Sequence, residues 1–384
     1  MLKPLPISLY IHIPWCARKC PYCDFNSHQA GNNIPEEAYI EALIKDLDES
    51  LPTIWGRPLC SIFIGGGTPS LFSASGIGTL LQAVYSRFAF NPNLEITMEA
   101  NPGTFEQAKF KDFKSAGVNR LSIGIQSFQS DKLKSLGRIH DGDEAMRAVD
   151  IAHNAGFDNF NLDLMHGLPG QSVENALYDL ETALRFEPPH LSWYQLTLEP
   201  NTVFAKFPPT LPKEDLLYDI QEAGNALLKD KQYQHYEISA YAKANHQCTH
   251  NLNYWQFGDY LGIGAGAHSK ITDLNEQTIT RLARTKLPQN YLNPEKAFIA
   301  TSKNIEQKDL LLEFMMNILR TKEGVEFDLI QNRTGLEKKQ FMPFLEKVSA
   351  KGFVEFDQNH IRATSQGHLF LNDCLETFIC ETNY

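Results

Sequence analysis

The chain has 384 residues, a length that suits two or three folding units, or one large barrel plus an appendage. Hydrophobic residues make up 42% of it and charged residues 21%, which is typical of a globular protein. Its 35 Lys and Arg against 46 Asp and Glu give a formal net charge of -11, which argues against nucleic acid or an anionic membrane surface as a partner. No apolar run approaches the roughly 18 residues of a transmembrane helix, and the first residues lack the apolar core of a signal peptide. We therefore expect a cytoplasmic protein with no direct membrane insertion.

Up to about Tyr236, strand-like runs alternate with amphipathic helices, as in parallel sheets built from strand–helix units. Strands are predicted at Ile7–Ile13, Cys60–Ile64, Leu94–Glu99, Arg120–Ile125, Asn159–Met165 and Leu191–Leu196. Helices are predicted at Glu36–Ser50, Ala74–Phe88, Gln107–Ala116, Asp143–Ala155 and Ser172–Arg185. Such units are too few for a closed eight-stranded barrel, so the predicted α/β fold is a partial, TIM-like (β/α)6 barrel with its chemistry at the carboxyl ends of the strands.

Three cysteines follow the first predicted strand, in a loop of residues 14–27. Cys16, Cys20 and Cys23 form the pattern C-x3-C-x2-C, which brings three thiolates to one centre. That centre is either zinc, with His12 or His28 as a fourth ligand, or a four-iron cluster that keeps one iron open. The spacing alone does not decide between them.

Unusual residues also collect in the loops after the later strands. Gly65-Gly-Gly-Thr-Pro-Ser70 follows the second strand, and Glu99 ends the third. Gln126 and Asp163 lie at the ends of the fourth and fifth strands. Glycines allow a ligand to approach the backbone closely, although each feature alone also fits a tight barrel turn or a helix cap.

Together, the cysteine pattern, Tyr22 before its last cysteine and the glycine loop resemble the radical S-adenosylmethionine (SAM) superfamily. This resemblance implies a 4Fe-4S cluster on Cys16, Cys20 and Cys23 whose open iron binds SAM. In that superfamily an injected electron cleaves SAM to a 5′-deoxyadenosyl radical. The cofactor thus carries the chemistry, and the protein positions it and excludes solvent.

Longer motifs resemble one family of that superfamily, the oxygen-independent coproporphyrinogen III dehydrogenases. The matching segments are Tyr10-Ile-His-Ile-Pro-Trp-Cys16, Glu99-Ala-Asn-Pro102, Ile123-Gly-Ile-Gln-Ser127 and Asp163-Leu-Met-His-Gly-Leu-Pro-Gly170. The resemblance implies that Tyr10, Gly66 and Glu99 contact the cluster-bound SAM. In the dehydrogenase a second SAM is held by the counterparts of Tyr22, Gly67, Thr68, Gln126, Arg138 and Asp163, and whether this chain binds a second one stays open.

Two departures from that family favour its haem-chaperone branch, which delivers haem to respiratory enzymes. Phe25 stands where the dehydrogenase has a further cysteine, and the first cysteine is already Cys16, without the dehydrogenase's long amino-terminal extension. We expect a protein that binds haem and transfers it to respiratory haem proteins without dehydrogenase activity. Any contact with the membrane would come through the acceptor. The alternative is oxidative decarboxylation of coproporphyrinogen III.

The segment His250-Asn-Leu-Asn-Tyr-Trp255 is typical of the haem-chaperone branch. The resemblance implies a haem-binding role for His250, whose imidazole can ligate iron, and for Tyr254 and Trp255, whose flat rings can pack on a porphyrin. A core histidine packed between two aromatic rings is the alternative, and Cys248 is a rival ligand. The motif falls in a predicted connecting region, residues 237–304, between a barrel domain of residues 1–236 and a carboxyl-terminal domain of residues 305–384.

The carboxyl-terminal domain is predicted to be helical and winged-helix-like. A helix at Asp309–Arg320, a short helix, a helix at Leu336–Ala350, a hairpin of Phe353–Phe356 and Ile361–Ala363, and a final helix follow one another. Such domains often bind DNA, but residues 309–384 carry 8 Lys and Arg against 12 Asp and Glu, a net charge of −4. We therefore expect it to pack on the barrel or on a protein, which leaves a zinc-stabilised regulator as the least favoured function.

Overall fold

The computed structural model describes residues 2–3, 5–31, 33–103 and 109–379. Gln107, the predicted start of the third helix, and the last five residues of the predicted carboxyl-terminal domain lie outside this range. The strands are β1 Ile7–Ile13, β2 Trp15–Cys16, β3 His28–Gln29, β4 Leu59–Gly66, β5 Phe90–Ala100, β6 Arg120–Gln126, β7 Phe160–His166, β8 His190–Gln195, β9 Gln234–Glu237, β10 Ala240–Ala242, β11 Asp259–Ile263, β12 His268–Asp273, β13 Thr278–Arg284, β14 Ile299–Asn304, β15 Val325–Glu326, β16 Val354–Phe356 and β17 His360–Ala363.

The helices pack around these strands. They are α1 Glu36–Ser50, α2 Ala74–Tyr85, α3 Phe110–Ala116, α4 Ser130–Ser135, α5 Gly142–Asn154, α6 Val173–Leu184, α7 Val203–Lys206, α8 Glu214–Asp230, α9 Thr249–Trp255, α10 Pro288–Tyr291, α11 Gln307–Ile318, α12 Phe327–Thr334, α13 Lys338–Ala350, α14 Ser365–Leu369 and α15 Leu371–Ile379. Short 3-10 turns occur at Leu51–Thr53 and Pro69–Leu71. Among the described residues, no helix is both long and apolar enough to cross a membrane.

One twelve-stranded sheet organises the barrel, in the order β14-β13-β12-β11-β1-β4-β5-β6-β7-β8-β10-β9. The neighbours from β11 to β8 all pair in parallel, and they include the six predicted strands. The predicted partial (β/α) barrel is therefore confirmed. Segment 237–304 adds β11 parallel to β1, and β12–β14 continue the sheet antiparallel. The segment predicted to connect the domains thus supplies strands to the barrel sheet.

The barrel is apolar on its outer face and polar inside. In β1, Leu9 and Ile11 are fully buried in the main hydrophobic core, which also contains Leu43 of α1. The alternate residues of β1 point the other way, because successive side chains of a strand face opposite sides. Ser8, for example, accepts a hydrogen bond from Ser61 of β4 at 2.8 Å. Polar side chains can therefore reach the strand ends from within the barrel.

The carboxyl-terminal domain combines helices α11–α15 with the antiparallel sheet β15-β17-β16, which matches the predicted winged-helix-like order. Its core includes Phe314 and Phe341, and Phe257 from the barrel joins the same core. The rings of Phe257 and Phe314 lie 5.7 Å apart. The domain therefore packs on the barrel, as expected from its acidic charge.

A buried carboxylate joins the first helix to the far edge of the barrel. Asp46 of α1 pairs with Arg284 of β13 at 3.0 Å and accepts a hydrogen bond from the Tyr291 hydroxyl at 2.7 Å. The Asp46→Ala variant leaves the buried guanidinium without its carboxylate. We expect the free energy of unfolding to fall by about 3–5 kcal/mol, measured by denaturant titration.

The control is Glu49→Ala, because Glu49 pairs with Lys45 at 3.9 Å on the exposed face of the same helix. That change should cost less than about 1 kcal/mol. Equal losses in the two variants would contradict the role assigned to the buried pair.

Candidate cofactor site

The cysteine loop closes on itself. Strands β2 and β3 pair in parallel, with Cys16 opposite Gln29, so the two ends of the cysteine loop lie side by side. The Lys19 ammonium donates hydrogen bonds to the carbonyls of Phe25 and Ser27 at 3.1 and 3.2 Å. The loop thus has a defined shape before any ligand is considered.

All three loop cysteines are free thiols, and all three line one cavity of about 460 Å³ at the carboxyl ends of the barrel strands. This cavity is called the cofactor cavity below. Burial raises the pKa of Cys16, and Cys20 and Cys23 raise it further, while Ser27 and Lys19 lower it. Mutual repulsion of this kind disappears when the thiolates bind a positively charged metal centre.

The three thiols are the type of donor that an iron–sulfur cluster takes. Within the described residues, no group of three His, Cys, Asp or Glu side chains is arranged to hold one metal ion. Three thiolates are soft sulfur donors of the kind that iron–sulfur clusters take. The donor set therefore fits a cluster held by Cys16, Cys20 and Cys23.

The structure gathers the SAM residues named from the sequence around the same cavity, with one exception. The lining includes Tyr22, Gly66, Gly67, Thr68, Glu99, Gln126, Arg138 and Asp163. Tyr10 lines a neighbouring cleft instead. Residues distant in sequence meet here because the carboxyl ends of parallel strands share one edge of the sheet.

Arg138 is the fixed positive charge of the cavity. One of its nitrogens donates to the Asn101 side chain and to the Gly124 carbonyl, both at 2.8 Å, and another lies 3.7 Å from the Cys20 sulfur. Burial works against its charge, but Tyr22 and Cys20 outweigh that effect and raise the pKa of Arg138. A cation held this way suits a ligand carboxylate.

Two partly buried carboxyl groups can supply negative charge to the cavity. Burial and the nearby Asp163 raise the pKa of Glu99 to about 8, although the Gly66 amide donates to Glu99 at 3.0 Å and opposes the rise. Burial also raises the pKa of Asp163, against hydrogen bonds from Ser122 at 3.0 Å and Asn161 at 2.7 Å. A ligand ammonium beside Glu99 would favour its ionised form.

Packing explains two of the glycines in this site. A Cβ atom on Gly66, whose φ is 116°, would lie 2.6 Å from the His12 ring, and one on Gly67 would lie 2.4 Å from the Trp15 carbonyl oxygen. Both positions therefore require glycine on packing grounds. Gln126, at φ 68°, ends β6 with a strained backbone and accepts a hydrogen bond from Tyr194 at 2.8 Å. Such strain often occurs where side chains meet ligands.

The H-N-x-x-Y-W motif forms helix α9, which lies against the inside of the barrel. Glu95 of β5 accepts hydrogen bonds from the amides of Thr249 and His250, both at 3.1 Å. A carboxylate at this end also complements the positive pole of the helix. The first turn of the motif helix is therefore fixed to the barrel wall.

His250 is buried, with 1% of its surface exposed. Its Nδ1 lies 2.9 Å from the Ser61 hydroxyl, and its Nε2 lies 3.0 Å from the Tyr254 hydroxyl. Burial, with a smaller effect of Arg120, lowers the pKa of His250 to about 3, so the ring is neutral. Both ring nitrogens are already bonded, which is the packing alternative, and the haem-ligand role of His250 stays a prediction.

The other motif residues join the helix to its surroundings. Asn253 donates to the Asp259 carbonyl at 2.8 Å, and the Arg320 guanidinium lies 4.3 Å from the Trp255 ring centroid. Tyr254 and Trp255 both line cavities, whereas His250 does not. Cys248 is buried with its sulfur 3.6 Å from Glu95, as expected for a packed thiol.

The sequence reasoning missed several residues of this cavity. Asn101, Ser122, Ser192 and Tyr194 line it and contact or neighbour the residues above. The sequence does contain a pattern that could identify such residues, because polar residues occupy every second position of otherwise apolar strands, as at Asn161 and Asp163 in β7. That pattern marks the inward face of a polar-lined barrel.

Comparison with known proteins agrees with this geometry. The Radical SAM superfamily model matches residues 10–183, and the HemN C-terminal domain model matches residues 305–370. The chain is 51% identical over 385 residues to the heme chaperone HemW of Haemophilus influenzae, covering 99% of this chain and 100% of that protein. The chain belongs to the HemW family of radical SAM proteins. The resemblance inferred from the motifs is confirmed.

Other members of the HemW family are similar along the whole chain. The HemW of Escherichia coli is 49% identical, covering 99% of this chain and all of that protein, and the HemW of Bacillus subtilis is 32% identical, covering 97% and 99%. The solved coproporphyrinogen III oxidase (HemN) of Escherichia coli has a TM-score of 0.82 and covers 98% of this chain and 90% of that one. At 23% identity, this likeness shows a shared fold.

The buried neutral His250 predicts a dependence of stability on pH. Unfolding exposes the ring, whose usual pKa is 6.5, whereas the folded value is about 3. As pH falls from 6.5 toward 3, the unfolded chain gains a proton that the folded chain lacks, so stability is lost in that range. We expect His250→Gln to reduce this loss by up to ~1.4 kcal/mol per pH unit, measured by denaturant titrations between pH 7 and 5.

His153→Gln is the matched control, because His153 is exposed on the outer helix α5. It should leave the pH dependence of stability as in the parent chain. If His250→Gln also leaves it unchanged, the ring does not stay neutral in the folded protein.

Proposed function

We propose that this chain is a haem chaperone of the cytoplasm. It holds a 4Fe-4S cluster on Cys16, Cys20 and Cys23, binds SAM beside the cluster, and binds haem as cargo for respiratory haem proteins. The observation that carries the proposal is its 51% identity, from end to end, to a protein named as a heme chaperone. Free thiols at every described cysteine also suit a reducing compartment.

Phe25 supports the chaperone over the dehydrogenase alternative. Its position is the one at which the dehydrogenase family, by the resemblance of the motifs, has a further cysteine. A phenyl ring cannot bind metal, and the Phe25 side chain is 58% exposed at the edge of the cavities. The likeness to HemN supports a shared fold and adds nothing for the dehydrogenase reaction.

The residues of the cofactor cavity suit the polar ends of SAM. Its carboxylate would meet the Arg138 guanidinium, and its ammonium would meet Glu99. The same space is bordered by Gly66, Gly67, Thr68, Tyr22, Gln126 and Asp163. When bound, the cluster would supply one-electron transfer to SAM.

The first test concerns the cluster. After anaerobic reconstitution we expect about four iron and four sulfide per chain, and a large loss of both in Cys20→Ala, because two thiolates do not retain the cluster. Iron and sulfide analysis and electron paramagnetic resonance of the reduced protein measure this. Cys60→Ala is the control, because Cys60 lies on β4 outside the loop. Full iron in Cys20→Ala would contradict the assignment.

The second test separates the two functions. We expect the reconstituted chain to bind haem saturably, followed by absorbance under anaerobic conditions. With coproporphyrinogen III, SAM and a reductant, it should yield no decarboxylated product. Product formation without saturable haem binding would instead identify a dehydrogenase.

A further inference from the structure

A second cleft of about 770 Å³ adjoins the cofactor cavity. It lies between loop residues 23–28 and strands β11–β13, with Tyr254 and Trp255 in its wall, and is called the loop–sheet cleft here. Its volume is within the ~300–1,000 Å³ of small-molecule sites. Cys23, Glu99 and Trp255 line both spaces, so a molecule in the cleft would lie next to the cluster loop.

The cleft wall contains three histidines, His12, His28 and His268, and they differ in the burial and hydrogen bonding of their ring nitrogens. His12 is buried, with Nδ1 3.0 Å from the Tyr10 hydroxyl and Nε2 2.9 Å from the Asn26 carbonyl oxygen. His28 is less exposed than His268, and its Nε2 atom is buried without a hydrogen-bond partner in the described part of the chain. His268, at the start of β12, is exposed, and no ring hydrogen bond is found for it among the described residues.

The charges around His268 keep its ring ready to bind metal. Partial burial lowers the pKa of His268, and the neighbouring Lys286 and Arg281 lower it further. The ring is therefore neutral at pH 7, which leaves a nitrogen lone pair free. The flat faces of Tyr254 and Trp255 in the same wall suit a planar aromatic ligand.

The cleft also carries cations that no carboxylate of the described residues neutralises. Lys270 pairs with Asp259 at 2.6 Å, and Arg281 pairs with Glu313. Lys19, in contrast, donates only to backbone carbonyls, and the Lys286 ammonium has no hydrogen-bond or ion-pair partner within the described residues. Asp24 and Glu99 are the acids of the wall, and burial favours the neutral form of Glu99.

These two lysines lie beside one segment of the cluster loop. The Asn26 side chain donates to the Lys286 carbonyl at 2.8 Å, and the Lys19 ammonium donates to the Phe25 carbonyl. The cleft therefore combines a free imidazole, aromatic walls and two cations at its loop side. An iron porphyrin with two carboxylates matches all three features.

We propose that haem binds in the loop–sheet cleft, with His268 as an iron ligand and Lys286 and Lys19 binding its propionate groups. This inference rests on the proposed haem-chaperone function and names the site at which the cargo is held. His250 then acts as a positioning residue that supports Tyr254 from inside the barrel.

The test is an anaerobic haem titration of the full-length reconstituted chain. His268→Ala should weaken haem binding at least tenfold and change the absorption and resonance Raman spectra of the bound haem. Added imidazole should restore the spectrum of the parent chain. His153→Ala is the matched control, because it removes an exposed histidine far from the cleft. His250→Gln should keep the spectrum of histidine-ligated haem.

A second comparison tests the propionate contacts. Lys286→Ala should weaken binding of haem several-fold and leave binding of haem dimethyl ester, which lacks free carboxylates, as in the parent chain. Lys286→Arg should restore the affinity for haem. Equal weakening toward haem and its ester would overturn the role of Lys286.

The outcomes separate the site from the function. If the parent chain and His268→Ala bind haem with the same spectrum and affinity, the proposed site is wrong, and the haem-chaperone function still stands. If the spectrum of histidine-ligated haem is lost in His28→Ala or His250→Gln but kept in His268→Ala, the iron ligand is His28 or His250 and the proposed site is wrong. A parent chain with no saturable haem binding overturns the site and the proposed function together.

Discussion

The structure depends on the hydrogen bonds that Glu95 accepts from the first amides of the motif helix. The Glu95 carboxylate is partly buried, and it accepts hydrogen bonds from two helix amides, both at 3.1 Å. The same contacts bring His250 to Ser61 and place Tyr254 and Trp255 at the cavities. The motif therefore fixes the position of one wall of the ligand-binding region.

The opposite wall is fixed in a different way, by Arg138. Its guanidinium bridges the loop after β5, the end of β6 and the cysteine loop through Asn101, Gly124 and Cys20. Because two of its nitrogens contact polar atoms of three separate segments, the guanidinium ties those segments together, while its buried Nε has no hydrogen-bond partner among the described residues. The cofactor cavity is in this sense preorganised, with its positive charge in place beside the thiols.

Much of this arrangement follows from the sequence, because local patterns encode it. The alternation up to Tyr236 predicted the six core strands, and the cysteine spacing predicted one shared centre, both from neighbouring residues. Strand β11 was not predicted from the sequence, because it pairs with β1 across about 250 residues, as Ile7 does with Asp259, and no helix follows it. The same holds for His250, since its partner Ser61 is 189 residues away and burial cannot be read from a short motif.

Trp255 has a consequence for how the parts of the molecule act on one another. One face of its ring is covered by Arg320 of the carboxyl-terminal domain, and the ring borders both the cofactor cavity and the loop–sheet cleft. The indole of Trp255 is thus one of the side chains between the two compartments, and it also contacts the carboxyl-terminal domain. A movement of that domain would therefore change the surroundings of a side chain that borders both compartments.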